Sequence, residues 1–461
     1  MITTYIQEFR KIVGADFVFI DQENLQKYST DCTENIFILP SIVIKPRTAE
    51  EISQILYYCN KYKIPVTPRG AGTGLSGGAI PTENGVVLSL ERFNEILYID
   101  EKNLQVTTEP GVITEFLQDA VKAKGLFYPP DPSSRGSCFI GGNVAENSGG
   151  PKAVKYGVVK DYVLNLEVVL PTGEIIWTGA NVLKNVTGYN LTQLMVGSEG
   201  TLGIIVKIVL KLIPLPKFDL LLLASFKNVF QAAEAVSAIF RAGVTPSALE
   251  LMESEAIKIS SQFLEIKTIA CGNDIEAQLI IEVDGQNQDM LYQEMEIISS
   301  VLEKHEAVEI LFAEDTVQKA ELWKMRRRVA EIVKQSGYTI EEDTVVPRYR
   351  LPELIQIVKD LGKKHNFKAV CYGHAGDGNL HIRINHPTIK NSYQNETMEA
   401  ILYEMFQLVY NLGGTISGEH GIGLIQKKYM NIVCQPIHLE LYRNIKKVFD
   451  PNHILNSGKG F

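Results

Sequence analysis

Thr48-Ala-Glu-Glu51 has the form of a capping box, in which a hydroxyl and a carboxylate three residues apart satisfy each other's backbone N–H groups. Ile52, Ile55, Leu56 and Cys59 then recur at helical spacing, which predicts an amphipathic helix over 49–62. The chain runs on into a short strand, Ile64-Pro-Val-Thr67. Further segments follow as Gly85-Val-Val-Leu-Ser-Leu90, Gln105-Val-Thr-Thr108, a helix near 114–124, a strand over 164–170, a Pro171-Thr-Gly-Glu174 turn and Ile175-Ile-Trp177. Hairpins mixed with helices predict an α+β fold rather than a doubly wound sheet. Pro214-Leu-Pro216 reads as a linker, after which strands at 218–226, 247–252 and 277–284 alternate with helices at 229–242, 254–264 and 287–304. That order predicts a ferredoxin-like α+β layer. The expected division is a first domain over 1–215, a second over 216–430, and a C-terminal segment, 431–461, returning to the first.

The most apolar runs, 203–215 and 220–226, fall short of the ~20 residues a spanning helix needs. No transmembrane helix is predicted. The N-terminus lacks the basic region and apolar run of a secretory signal, so a cytoplasmic location, with peripheral attachment at the inner face of the membrane left open, is the expectation. Across 461 residues, 45 Lys and Arg stand against 54 Asp and Glu, a formal charge of −9. That balance excludes a nucleic-acid binder resting on a basic footprint. The six cysteines (32, 59, 138, 271, 371, 434) form no CxxC pair, which argues against a disulfide framework, a zinc ribbon or an iron–sulfur site. They read as mostly reduced core residues.

Glycine is unevenly placed. Windows 68–78, 135–150 and 187–203 span 44 residues and hold 14 of the 36 glycines, a density that marks backbone packed against a ligand or turning tightly. Pro68-Arg-Gly-Ala-Gly-Thr-Gly-Leu-Ser-Gly-Gly78 follows a strand, but Pro81 and a turn intervene before the next strand, so it does not open the helix a Rossmann fingerprint requires. It reads instead as a nest of N–H groups, with the Thr73 and Ser76 hydroxyls, around an anionic pyrophosphate. A glycine hairpin without a ligand is the alternative for this segment alone. Tyr128-Pro-Pro-Asp-Pro-Ser-Ser134, Gly141-Gly-Asn-Val-Ala-Glu-Asn-Ser-Gly-Gly150, Thr187-Gly-Tyr-Asn190 and Gly197-Ser-Glu-Gly-Thr-Leu-Gly-Ile204 add small side chains and hydrogen-bonding amides suited to a ring system.

In this order and spacing the three windows resemble the FAD-binding domain of the vanillyl-alcohol-oxidase-type flavoproteins. The remainder resembles the C-terminal domain of the FAD-linked D-lactate, glycolate and D-2-hydroxyglutarate dehydrogenases, and the likeness spans roughly residues 37–461. By resemblance, Arg69, Gly70, Ala71, Gly72, Thr73, Gly74, Ser76 and Gly77 would hold the pyrophosphate. Pro130, Asp131, Ser133 and Ser134 would lie near the isoalloxazine or ribityl chain, Gly141, Gly142, Asn147, Ser148 and Gly149 would line the flavin, and Glu199, Gly200, Gly203 and Ile204 would hold the adenosine side, with Asn456 also on the cofactor. Some relatives attach FAD through a histidine of this domain. All eight histidines here lie at or beyond His305, so noncovalent FAD is expected, with Cys138 the remaining candidate for a covalent link.

Cys371-Tyr-Gly-His-Ala-Gly-Asp-Gly-Asn-Leu-His381 and Ser417-Gly-Glu-His-Gly-Ile-Gly423 carry imidazoles and a carboxylate on small-residue turns. That chemistry suits a divalent metal with positions left open for substrate, the alternative being histidines that only hydrogen-bond within a turn. The resemblance assigns His374, His381 and Glu419 as ligands of zinc, manganese or iron, His420 as the catalytic base and Arg326 as the grip on the substrate carboxylate. Arg326 lies in Trp323-Lys-Met-Arg-Arg-Arg328 on a predicted helix, where at most one or two of the arginines can face a site; Arg327 and Arg328 read as a solvated face. Relatives specific for a dicarboxylic hydroxy acid carry Thr, Lys and Asn where this chain has Ala330, Glu341 and Arg383, which disfavours that substrate.

The resemblance thus implies FAD-dependent oxidation of a D-2-hydroxy acid, D-lactate or glycolate, with hydride passing to flavin N5. Electrons would leave to an external acceptor: a quinone, an electron-transfer flavoprotein, an iron–sulfur subunit or a cytochrome. A flavin-binding electron-transfer subunit and an alkyl-transfer flavoenzyme of the alkylglycerone-phosphate synthase kind are the alternatives. Monomer and homodimer are both left open.

Overall fold

A computed structural model describes residues 2–82, 84–265, 274–313, 315–390 and 395–461, so Cys271 lies outside the described residues. The chain divides into two compact units. One comprises 1–148, 158–215 and 419–461; the other comprises 149–157 and 216–418.

The first unit is built on two sheets. Val18–Phe19, Ile42–Ile44, Val86–Ser89 and Val66–Arg69 lie in that order, antiparallel at the first pair and parallel thereafter. The helix Ala49–Tyr62 connects two of these strands and buries Ile52, Ile55, Leu56 and Cys59, the residues its spacing singles out; Thr48 Oγ1 accepts from Glu51 N, while the Glu51 carboxylate accepts from Arg47 N (2.6 Å) in place of the reciprocal bond of a capping box. Fully burying each of these Ile and Leu side chains contributes about 1.5–3 kcal/mol. The other sheet is antiparallel, in the order Ile96–Asp100, Gln105–Thr108, Ile204–Lys211, Val163–Val169, Ile175–Trp177. The last residues of the chain close the unit: Val66 N donates to Ile454 O (2.7 Å), Asn456 N donates to Val66 O (2.9 Å), and Leu455 is fully buried.

The second unit holds, among its described residues, a seven-stranded antiparallel sheet. Its first four strands, Ala307–Phe312, Phe218–Phe226, Ala277–Gly285 and Ala248–Glu253, stand in the order fourth, first, third, second, which is the ferredoxin-like arrangement the sequence predicts. Lys368–Gly373, Asn379–Asn385 and Ile340–Val345 extend the sheet and carry the histidine motif. The helix Thr316–Gln335 packs against it through Leu322, Met325, Arg326, Val329, Ile332 and Val333.

The units differ from the expected domains in two places, each for a visible reason. Residues 149–157 join the second unit because Lys152 reaches Glu282 and Asp284, while Lys155 and Tyr156 bond the Asp284 carboxylate at 2.7 Å. The returning segment starts at Glu419 rather than at 431, because Leu424 N donates to Ser76 O (2.8 Å) and Ile422 N to Glu199 (2.9 Å). Of the described cysteines, Cys59, Cys138 and Cys371 are buried; Cys32 is exposed and Cys434 half-buried.

Candidate active site

In the first unit the strand Val66–Arg69 runs into an irregular loop over 70–80, with no helix after the glycines. Arg69 props this loop from within. Its guanidinium is buried, donates to the carbonyls of Thr30 (2.7 Å) and Ala79 (3.2 Å), and fills the space a Cβ at Gly72 would need. The arginine thus ties the loop to the segment around Thr30. A Cβ on Gly74 or on Gly142 would meet nothing within 4 Å, and the Ser76 hydroxyl is buried without a partner. Gly70 approaches Gly142, so the first two glycine windows adjoin.

Several other positions make close contacts within the fold. Gly141 sits tight on Pro110, Gly203 on Val168, Gly77 beside Leu424 and Gly200 on Pro68, and Ile204 is a buried strand residue. Asp131 is buried, Ser133 exposed and Ser134 half-buried; Pro130 O accepts from Gln118 (2.9 Å). Asn147 caps the helix Ile140–Glu146 and accepts from Lys160 N (2.9 Å), while Ser148 N bonds Asn143 O (3.0 Å). Gly149 belongs to the second unit. Asn456 donates to Glu199 O (2.7 Å) and accepts from Lys459 (2.9 Å), whose ammonium also bonds Gly78 O (2.6 Å). Burial draws the Lys459 pKa down to about 7 against the pull of Asp31, Glu199 and Glu146. Sequence reading passes over Lys459; the signal was its place in the same Asn456-Ser-Gly-Lys run.

The second unit gathers the histidine motif around a buried ion pair. Glu250, in the strand Ala248–Glu253, has no exposed surface. It accepts from His374 Nδ1 at 2.9 and 3.0 Å and from Arg326 at 2.6 Å. Burial alone pushes the Glu250 carboxyl up, but Arg326 and His374 outweigh it and hold the group below the usual carboxylate range. An ionised Glu250 is an acceptor only, so Nδ1 of His374 is the protonated nitrogen of this contact and the ring is oriented by it. Arg326 lies on the buried face of its helix, and its Nε is buried with no partner. Arg328 is partly exposed and paired with Glu331, as a solvated face predicts; Arg327 stacks on Trp323.

His374 and His381 stand with ring centroids 5.7 Å apart, and Glu341 lies 3.8 Å from His381 Nδ1. Arg383, two residues along the same strand, is buried and bound by Glu341, by the Tyr372 hydroxyl (3.3 Å) and by Tyr338 O (3.4 Å). Asp343 accepts from Asn379 (2.6 Å), Ser417 (3.2 Å) and Gly418 N (2.8 Å). Glu419 and His420 belong to the first unit and open its returning segment.

A glycine cradle with open faces in one unit, and a buried imidazole–carboxylate–guanidinium cluster in the other, define a flavoprotein of the vanillyl-alcohol-oxidase fold. The solved structure of p-cresol methylhydroxylase with substrate bound shares that fold with a TM-score of 0.80 at 18% identity, over 98% of this chain and 95% of that one. Residues 215–460 match the family "FAD linked oxidases, C-terminal domain" and residues 40–179 the family "FAD binding domain". The chain belongs to the FAD-linked oxidase family. It is 41% identical to the glycolate oxidase subunit GlcD of Bacillus subtilis (strain 168), over 94% of this chain and 92% of that protein. It is 38% identical to a D-lactate dehydrogenase of Anaerostipes hadrus, over 91% and 89%. No helix among the described residues is long and apolar enough to cross a membrane.

Proposed function

We propose that this protein oxidises a D-2-hydroxy acid, D-lactate or glycolate, to the 2-oxo acid and passes the electrons to an external acceptor, acting in the cytoplasm. The observation that carries the reading is the Arg326–Glu250–His374 cluster, with one buried guanidinium donor of Arg326 left unengaged. That donor suits a substrate carboxylate, since a charge-assisted bond in a dry site is both strong and directional.

The residues fit both implied groups. Open space at Gly74 and Gly142 and the unpartnered Ser76 hydroxyl suit FAD, with the loop amides on its pyrophosphate and the Asn147–Gly149 stretch along the flavin. Two imidazoles, one oriented through Nδ1 by Glu250, suit a zinc-, manganese- or iron-like ion, with Glu419 as the proposed third ligand. When bound, FAD supplies the hydride acceptor and the ion acidifies the substrate hydroxyl. Arg326 grips the carboxylate, Glu250 holds Arg326 and His374 in register, and His420 receives the hydroxyl proton. Anaerobic D-lactate should bleach the flavin absorption; a panel of D-2-hydroxy acids that leaves it unchanged sinks the reading.

With no histidine in 1–148 or 158–215, acid precipitation should release the flavin into the supernatant, and a yellow pellet would show a covalent link. Substrate size follows from Arg383. Glu341, Tyr372 and Tyr338 already engage its guanidinium, so a distal substrate carboxylate meets Glu341 as a like charge. Glu341→Ala should raise kcat/KM for D-2-hydroxyglutarate relative to D-lactate by about 10- to 100-fold, the worth of one charge-assisted hydrogen bond. An unchanged ratio in competition assays would remove Arg383 from substrate selection.

A further inference from the structure

We propose that Glu199 is a positioning residue that fastens the turn bearing Glu419 and His420, with Glu146 walling the other side of that turn. What the turn does rests on the proposed oxidation; the fastening rests on geometry within one unit. Ile422 N donates to Glu199 Oε1 at 2.9 Å and Gly423 N to Oε2 at 2.7 Å, so both carboxylate oxygens are taken by successive amides just beyond His420.

The backbone is shaped for this. Gly421 (φ 84°) and Gly423 (φ 46°) adopt the left-handed region, which lets two consecutive N–H groups converge on one anion. Neither tolerates a side chain: a Cβ at Gly421 would run into the Glu146 carboxyl, and one at Gly423 into the Ser76 carbonyl. Two further bonds lock the turn, from Leu424 N to Ser76 O (2.8 Å) and from Gly460 N to Gly423 O (3.0 Å). Ser76 belongs to the proposed pyrophosphate loop, so that loop and the Glu419–His420 turn share one hydrogen-bonded frame.

Glu199 is itself held off the ordinary backbone regions, at φ 51°, where a non-glycine residue is strained. Its N–H bonds Ala145 O (2.8 Å) and its carbonyl accepts from Asn456 (2.7 Å), so the conformation is enforced from both sides. Electrostatics agree. Burial raises the Glu199 carboxyl, and the amides of Ile422 and Gly423, then Lys459, draw it back. Glu146 is raised well above the ordinary value by burial and then by the adjacent Glu199.

Glu199→Gln keeps the shape but turns an NH₂ group towards an amide donor, so the turn loses one anchor. The variant should retain far-UV circular dichroism and, per bound flavin, show little change in KM. Its kcat for D-lactate should fall about 10²-fold, the usual effect of displacing a reacting group by ~1 Å. Hydrogen exchange gives the readout that catalysis does not. In the wild-type holoenzyme the amides of Ile422 and Gly423 should exchange far more slowly than those of the exposed 182–189 stretch, and Glu199→Gln should abolish that protection. Wild-type amides exchanging at the exposed rate would overturn the proposal even where the variant fails to fold, as would a variant with wild-type kcat and protection. A wild-type flavin that no D-2-hydroxy acid bleaches defeats the functional reading instead, and leaves the exchange test of the clamp intact.

Discussion

His420→Ala should retain FAD and bound metal while kcat falls by about 10²–10⁴, the usual worth of a positioned general base. The residue sits on a turn whose amides, through Ile422 and Gly423, are fixed to Glu199, so its own removal leaves the frame of the first unit in place. Because the alcohol of a 2-hydroxy acid ionises far above neutrality, hydride loss and proton loss must be coupled, and removing the acceptor slows both. Stopped-flow reduction of the flavin by D-lactate isolates this step from the acceptor. Reduction at the wild-type rate would exclude His420 as the base. Glu419→Gln should behave differently, losing metal and activity together and recovering in part with added Zn²⁺ or Mn²⁺.

The largest stability effect is expected at Glu250. Its carboxylate has no exposed surface, and Arg326 is only 3% exposed. Removing one partner of such a pair leaves a buried charge without compensation and costs about 3–5 kcal/mol. Glu250→Ala should lower the urea midpoint accordingly, whereas an apolar replacement of both Glu250 and Arg326 should recover much of the loss and remain inactive. Glu250→Gln, which keeps the volume, should weaken metal binding by about 10- to 100-fold in chelator competition, as loss of a ligand-orienting partner does. Single and double variants with equal stability would show that the ion pair contributes nothing to the fold. The sign of the pH effect follows from the lowered Glu250 pKa. Its contribution is complete above the ordinary carboxylate value of 4.5 and is lost as pH falls through the folded value.

Local pattern made much of this molecule legible. The Thr48 cap, the 49–62 helix, the glycine windows and the restart after Pro216 are all short-range signals, and each element lies where its residues predict. The resemblance singles out Arg326, while helical phase says only that at most one or two of the three adjacent arginines can face a site; Arg326 is the buried one. The supporting residues were not legible. Glu250 meets His374 across 124 positions, Glu199 meets Ile422 across 223, and Lys459 meets Gly78 across 381. A glutamate whose partner is that distant carries no local periodicity, and its role exists only after the sheets have paired. Arg69 shows the converse: a cation beside a glycine loop suggests an anion ligand, yet its guanidinium turns inward to the carbonyls of Thr30 and Ala79.

The bonds between Val66 and the Ile454–Asn456 stretch bear on the order of events during synthesis. The strand carrying the glycine loop is made early, but its neighbour Leu455 leaves the ribosome only after the whole of the second unit has been translated. Non-local closure of this kind is slow, because loop entropy must be overcome before the contact forms. The second unit, continuous from 216 to 418 apart from the short 149–157 segment, can assemble its sheet first, while the first waits with its apolar strands exposed to chaperones. A chain halted before residue 454 should therefore accumulate with an ordered second unit and a first unit that cannot retain flavin.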